Sequence, residues 1–325
     1  VIVSNAGSIE VKATAIDGGS LRADAVSFDE FAAGADIQIG AASAVKVLGA
    51  ETITVANGGL VNIVSENDRN TTFTVAASDD VFLTQGNGNM LVDITADGQV
   101  VTLTADADIN GAVAGTDVTA KNLIITTAEN VTLDTNIEQI KANVAYDLTL
   151  DETDDLAVDL INAGRKAKIT AGGSITDSAD DRIIDIVTPE LELTAADSIG
   201  EEDNMLDLST HQLTADAAAG LINLRNVSDR YVEVSNLTAG KSVTLRAEGS
   251  GTHGFTGLVE AKDGSVIITS EAGDLWFRDN QVTATQDIKL DAYENDIYLG
   301  ENSDDDVRGL LQAGANIDIW ADGYL

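Results

Sequence analysis

Carboxylates are the most numerous side chains in this sequence with the capacity for chemistry. They gather in four groups: Asp151-Glu152-Thr153-Asp154-Asp155, Asp180-Asp181, Glu201-Glu202-Asp203 and Asp304-Asp305-Asp306. Carboxylates and carbonyls meeting at a chain corner can supply the roughly six to eight oxygens that calcium takes. Calcium is the one cofactor the sequence suggests, and it leaves the metal ligands unknown. The Gly-Gly-x-Gly-x-Asp repeat of calcium-binding β-rolls is absent, as is EF-hand spacing. Solvated acidic corners that hold neighbouring molecules apart account for the same residues without a metal.

Paired carboxylates also serve polysaccharide lyases and hydrolases, which add basic residues and aromatic platforms along a sugar groove. With 55 acidic residues any pair matches by chance, and aromatics are scarce: 2 Trp, 5 Tyr and 6 Phe. Trp276 and Phe277 share one predicted strand and Trp320 follows two coils later. They are read as one core aromatic and two edge residues rather than as a platform. His211 and His253 are the only histidines, lack a metal-ligand or triad companion, and are expected in loops. No glycine-rich phosphate loop opens a helix. No catalytic or cofactor-binding residue is assigned, and the expectation is that the chain is not an enzyme.

The elements that would position such residues follow from periodicity. An aliphatic-x-Ala phrase followed by alternating aliphatics recurs at Val118-Thr119-Ala120, Ile140-Lys141-Ala142, Ile169-Thr170-Ala171, Leu193-Thr194-Ala195 and Leu213-Thr214-Ala215. It continues at Leu237-Thr238-Ala239, Val259-Glu260-Ala261, Val282-Thr283-Ala284 and Leu311-Gln312-Ala313. The mean spacing is about 24 residues, in the range where repeated short units stack as solenoids. Within a coil, runs such as Val259–Ala261, Val266–Ile268 and Leu275–Phe277 mark roughly three short strands separated by Gly, Asp and Asn. Asn-Gly and Asp-Gly hairpin signals are few, and no segment holds a 3.6-residue period for three turns. The fold class expected is all-β: a right-handed parallel β-helix (β-solenoid) of about 14 coils stacked at ~4.8 Å. The alanine at the third position of each phrase predicts a tight corner. Residues 1–325 read as a single continuous solenoid, with less regular coils over 1–110 and regular coils over 111–325. The longer coils at 140–169 and 282–311 are where lateral insertions are expected.

Composition agrees. Apolar residues make up 44% and are mainly Val, Ile, Leu and Ala; there is one proline, Pro189, and no cysteine. Proline scarcity suits a chain whose N–H groups are needed in ladders, and cysteine-free chains are common among secreted bacterial fibres. A net charge of −37 repels nucleic acid and anionic membrane surfaces. No stretch approaches the ~18 apolar residues of a membrane span. Val1 is not a start methionine, so the chain is read as processed or as a segment of something longer.

The phrases Ala171-Gly172-Gly173-Ser174-Ile175-Thr176-Asp177, Leu193–Gly200, Leu206-Asp207-Leu208 and Leu213-Thr214-Ala215 resemble the filamentous-haemagglutinin-type repeat of large bacterial exoproteins and adhesins. The resemblance covers roughly 118–325. It implies export to the cell surface or medium and a role as a fibre, adhesin stalk or surface sheath. Its motifs are structural and carry over no site residues. Both ends read as uncapped, which suggests head-to-tail self-association in addition to cell-surface or carbohydrate partners through a lateral face.

Overall fold

A computed structural model of the chain describes residues 51–66, 68–179, 181–278, 280–300 and 310–323, together with the backbone of short strands before residue 51. It is all-β, with no helix among the described residues. Parallel strands stack as a β-solenoid of about 11 turns, roughly 22 residues per turn. That is fewer than the roughly 14 coils expected from the length and the mean spacing. The chain divides into two compact units, Val1–Thr153 and Asp154–Leu325. The less regular reading of 1–50 falls mostly outside the described residues, as do Asp180 and Asp304-Asp305-Asp306.

In the first unit the strand Val131–Val144 shows how the sequence sets the fold. Its burial alternates in and out, placing Val131, Leu133, Ile137, Ile140 and Ala142 inside and Thr132, Asp134 and Lys141 outside. The phase slips once, at Glu138-Gln139, and there the strand turns from one face to the next. Alternation with period two is what a half-buried strand requires. Val61, Val81, Val101, Leu123 and Ile140 stack in one inward column. At one corner, side chains of successive coils cap backbone N–H groups: Asn89 N donates to Asn70 Oδ1 (3.1 Å), Asp108 N to Asn89 Oδ1 (3.4 Å), Asn130 N to Asp108 Oδ1 (3.2 Å) and Asp147 N to Asn130 Oδ1 (3.3 Å). These caps satisfy donors that leave the ladder at each turn.

The second unit carries three ladders, typified by Gln212–Ala217 with Val232–Ala239, Ile222–Asn226 with Val243–Ala247, and His253–Ala261 with Leu275–Phe277. The tight corner expected from the sequence is there. Ala171, Ala195, Ala217, Ala239, Ala261, Ala284 and Ala313 pair in one column, and the first six are buried. Phe255 and Phe277 stack in the core with centroids 4.6 Å apart and planes within 7°.

Two phrases fall out of register with the rest. Ile140 pairs with Leu123, not with Val118, whose partner is Thr135. The long coil expected over 140–169 is therefore a change of ladder, not an insertion. Leu213 pairs with Leu191 and Ala215 with Leu193, so the third-position alanine of that coil is Ala217. A shift of two residues keeps the same side chains pointing inward, so the hydrophobic pattern does not detect it. Successive rungs from Ile169 to Val282 lie 22 to 24 residues apart, widening to 29 at Val282↔Leu311.

Candidate functional site

A polar concavity that combines several charged side chains lies in the second unit, and ladder pairing explains how it forms. Leu156–Ala163 is a continuous strand, but the coil that pairs with it is split: Val158 pairs with Asp177 and Ile161 with Ile186. Three residue steps thus face nine, and residues 181–184 leave the ladder, while Ser178 and Asp185 remain bonded to it. In the next coil Ile199 and Leu206 pair with Ile222 and Leu224, so seven steps face two, and residues 200–205 swing out as well. Above them Ile222–Asn226 and Val243–Ala247 are again continuous. Two consecutive coils open the same face, and the closed coils beyond supply Asn223, Arg225 and Arg246 over the gap.

Local backbone geometry holds the two excursions. Gly200 has φ +74°, and a Cβ there would lie 2.2 Å from the carbonyl oxygen of Asn223, so only glycine fits. Arg182, at φ 61°, is the only non-glycine residue with positive φ among the described residues. Its carbonyl accepts from Arg225 Nη1 at 3.2 Å.

The electrostatics centre on Glu248. It meets Arg225 Nε at 2.6 Å, Arg246 Nε at 2.9 Å and Arg182 Nη2. Burial pushes its carboxyl up, but the three guanidinium groups outweigh burial and hold it below its ordinary range. Arg225 Nη1 also donates to Asp207 Oδ2 at 2.8 Å. Burial raises Asp207, and Arg225 offsets only part of that. Beneath lies Asp185, 3% exposed. Burial above all, with Asp177 beside it, pushes Asp185 up to about 8, against a 2.7 Å bond from Asp207 N–H to its Oδ2. Burial and the neighbouring Asp177 carboxylate thus both favour the protonated form of Asp185. Asp177 Oδ2 is itself buried without a hydrogen-bond partner among the described residues.

The concavity, of about 240 Å³, is lined by Arg182, Asp203, Met205, Asn223, Arg225 and Arg246 among others. Asn223 Nδ2 donates to the carbonyls of Glu201 (2.6 Å) and Glu202 (3.3 Å). That fixes the amide, and its buried Oδ1 has no partner among the described residues. A buried acceptor without a donor costs on the order of 1–3 kcal/mol.

No protein-family model, curated protein or solved structure matches the chain.

The residues singled out in the sequence are dispersed. Glu152 is buried and accepts from Thr135 Oγ1 (2.7 Å), Ile137 N (3.1 Å) and Thr153 N (2.8 Å). Asp155 accepts from Ser174 N (2.7 Å), and Asp181 from Ile183 N (2.8 Å). These carboxylates cap backbone donors. Glu202 and Asp203 lie at the concavity instead. Among the described residues no three His, Asp or Glu side chains converge as metal ligands. Phe277 is in the core, whereas Trp276 points outward under the Arg278 guanidinium, 4.3 Å from the ring, with Tyr298 at 5.4 Å. Trp320 lies on another ladder, 5.4 Å from Tyr293.

His253 corrects the loop expectation. It opens the strand His253–Ala261, fully buried between Val232 and Leu275. A polar ring is tolerated there because Nδ1 meets the Gly251 carbonyl at 3.1 Å and Nε2 meets Asn226 Nδ2 at 3.4 Å. Burial lowers its pKa to about 4 against the Gly251 bond, so the neutral ring donates from Nδ1 and accepts at Nε2. Sequence reasoning missed the arginine-rich concavity altogether. The available signal was one arginine, Arg182, inside an acidic loop and two, Arg225 and Arg246, on the coils beyond, in a chain with only 18 basic residues.

Proposed function

We propose that this chain is a structural module: a stiff, acidic solenoid segment of a secreted or cell-surface fibre, sheath or adhesin stalk, with a mechanical rather than a catalytic role. The observation that carries the reading is the unbroken column of alanines from Ala171 to Ala313, flanked by parallel ladders in which each coil pairs with the next. A fold that spends its sequence on repeating one rung is suited to spanning distance. The haemagglutinin-type phrases, the lack of cysteine and the charge of −37 support placement outside the cell among repeat-built exoproteins. Ile317, which continues the inward column above Ile288, is 46% exposed. A further coil, from this chain or from a second copy stacked head to tail, would cover it.

Protease shaving of intact source cells, with antibody-gold microscopy, tests this. The expected result is release of peptides from this chain and labelled surface fibres or sheath. Recovery of the chain only from the cell interior would overturn the proposal. A second reading, an adhesin module binding through one lateral face, is favoured by the row of Tyr231, Trp276 and Tyr298. Tyr231 covers Gly254, whose register partner is Trp276, and Trp276 pairs in turn with Tyr298.

A further inference from the structure

We propose that residues 181–184 form a pH-operated latch on one face of the second unit, closed while the buried pair Asp177 and Asp185 keeps a proton and open once the pair has lost it. The inference goes beyond the structural role and does not depend on it.

The two acids bracket the segment. Asp177 ends the strand Ile175–Asp177, and Asp185 immediately precedes the strand Ile186–Val187. Both feet are fixed to the ladder. Ser178 N donates to the Val158 carbonyl (3.0 Å), Asp185 N to the Asp207 carbonyl (2.8 Å), and Ile161 N to the Asp185 carbonyl (2.6 Å). Both side chains are buried, and Asp177 Oδ2 has no hydrogen-bond partner among the described residues.

The charged groups around the pair do not answer a second negative charge. Asp207, on the next coil, is buried and acidic itself; its backbone N–H gives Asp185 one bond, at 2.7 Å. Arg225, one coil further, is committed to Asp207 and Glu248. Arg182, on the latch, reaches Glu248. Asp181 accepts from Ile183 N, and Asp159, on the strand beneath, is exposed. Two ionised carboxylates side by side without water or a cation repel each other, so the second proton is held. It is released at mildly alkaline pH, since burial and Asp177 push Asp185 up to about 8.

The segment between the feet is the part able to yield. Residues 181–184 lie between two ladder pairings and join neither. Arg182 holds φ 61°, a conformation that persists in a non-glycine residue only while its surroundings impose it. Ile183 is 65% exposed and adds nothing to the core. Arg182 ties the segment down through its guanidinium on Glu248 and its carbonyl, which accepts from Arg225 Nη1 at 3.2 Å. That guanidinium is largely exposed, and exposed ion pairs are weak. Glu248 keeps Arg225 and Arg246 when Arg182 departs, so the latch opens without dismantling the coils behind it. Opening admits water to Asp185, the hydration that its ionised form lacks when closed.

Trypsin cleaves after arginine, so nicking of the intact chain at Arg182 reports the open latch. Brief digestion is run in steps from pH 7 to pH 9 beside a synthetic peptide of residues 176–188, which corrects for the protease's own pH dependence, and mass spectrometry locates the cuts. Corrected nicking at Arg182 should rise about tenfold from pH 7 to pH 9, as the ionised fraction of a group titrating at about 8 goes from about one tenth to about nine tenths. Arg225 and Arg246, on ladder strands, should stay uncut throughout. Asp185→Asn should nick at the low pH 7 level across the whole range. Three results would each overturn the inference: flat corrected nicking in the wild type, a rise that persists in Asp185→Asn, or a rise shared by Arg225 and Arg246, which is unfolding of the unit and not a latch. The first and third are read on the wild type alone, so the inference stays exposed to refutation even if the variant does not fold.

Discussion

Replacing Asp185 with asparagine should remove a pH dependence that the wild-type core builds in. In the unfolded chain Asp185 titrates near 3.8; in the fold it titrates near 8. Between those values the folded state holds a proton that the unfolded state has lost. Stability must therefore fall as pH rises, by about 1.4 kcal/mol per unit. The contribution is fully present below about pH 4 and gone above about pH 8. Asparagine imitates the protonated acid: it offers an N–H to Asp177 and keeps an oxygen for the 2.7 Å bond from Asp207 N–H. It does not titrate. The variant should therefore gain on the wild type by about 4 kcal/mol between pH 5 and pH 8 and by no more above that. Urea unfolding at stepped pH, followed by tryptophan fluorescence, reads this directly, because Trp276 and Trp320 both lie in the same compact unit as Asp185. The comparison must be between variant and wild type. His253 imposes an opposite slope below pH 6.5 that flattens the wild-type curve. Parallel stability curves for the two proteins from pH 5 to pH 8 would refute the reasoning.

The His253 slope can be isolated in the same way. Its folded pKa is depressed to about 4 from 6.5, so the unfolded state binds the proton first, and stability should fall by about 3 kcal/mol as pH drops from 6.5 to 4. A His253→Gln variant should lack that loss, and the wild-type imidazole resonances should stay at their neutral positions down to about pH 4. Ala239→Leu should overpack the alanine column between Ala217 and Ala261 and cost about 1–3 kcal/mol, measured as a lowered urea midpoint. Ser270→Thr, on another ladder, serves as a milder control. A thermal melt with and without a chelator should give the same midpoint, since Glu152, Asp155 and Asp181 already accept from backbone N–H groups. A drop on chelation would show that calcium supports the fold.

Much of the fold was legible in the sequence. Most inward positions on each rung are apolar whatever lies above or below them, so period-two alternation survives in runs such as Val131–Val144 and Val266–Ile268. The corner alanines were legible for a related reason: the same small space recurs in each coil, and the same residue fills it. Register was not legible. Sliding Leu213 by two residues, or moving Ile140 from one ladder to another, leaves the inward pattern intact, and only pairing between coils distinguishes the alternatives. The charged concavity was hidden more deeply. In one dimension 178–185 and 200–205 are two acidic loops, and Arg225 and Arg246 are two outward residues on ordinary strands. They converge because consecutive coils stack, which brings residues about 20 apart in sequence to neighbouring rungs. His253 and Asp185 make the same point from inside the core. The sequence determined that these positions belong to a repeated coil. Which of their polar groups are buried, and what answers them there, depends on partners one coil away, and that was decided by the tertiary structure.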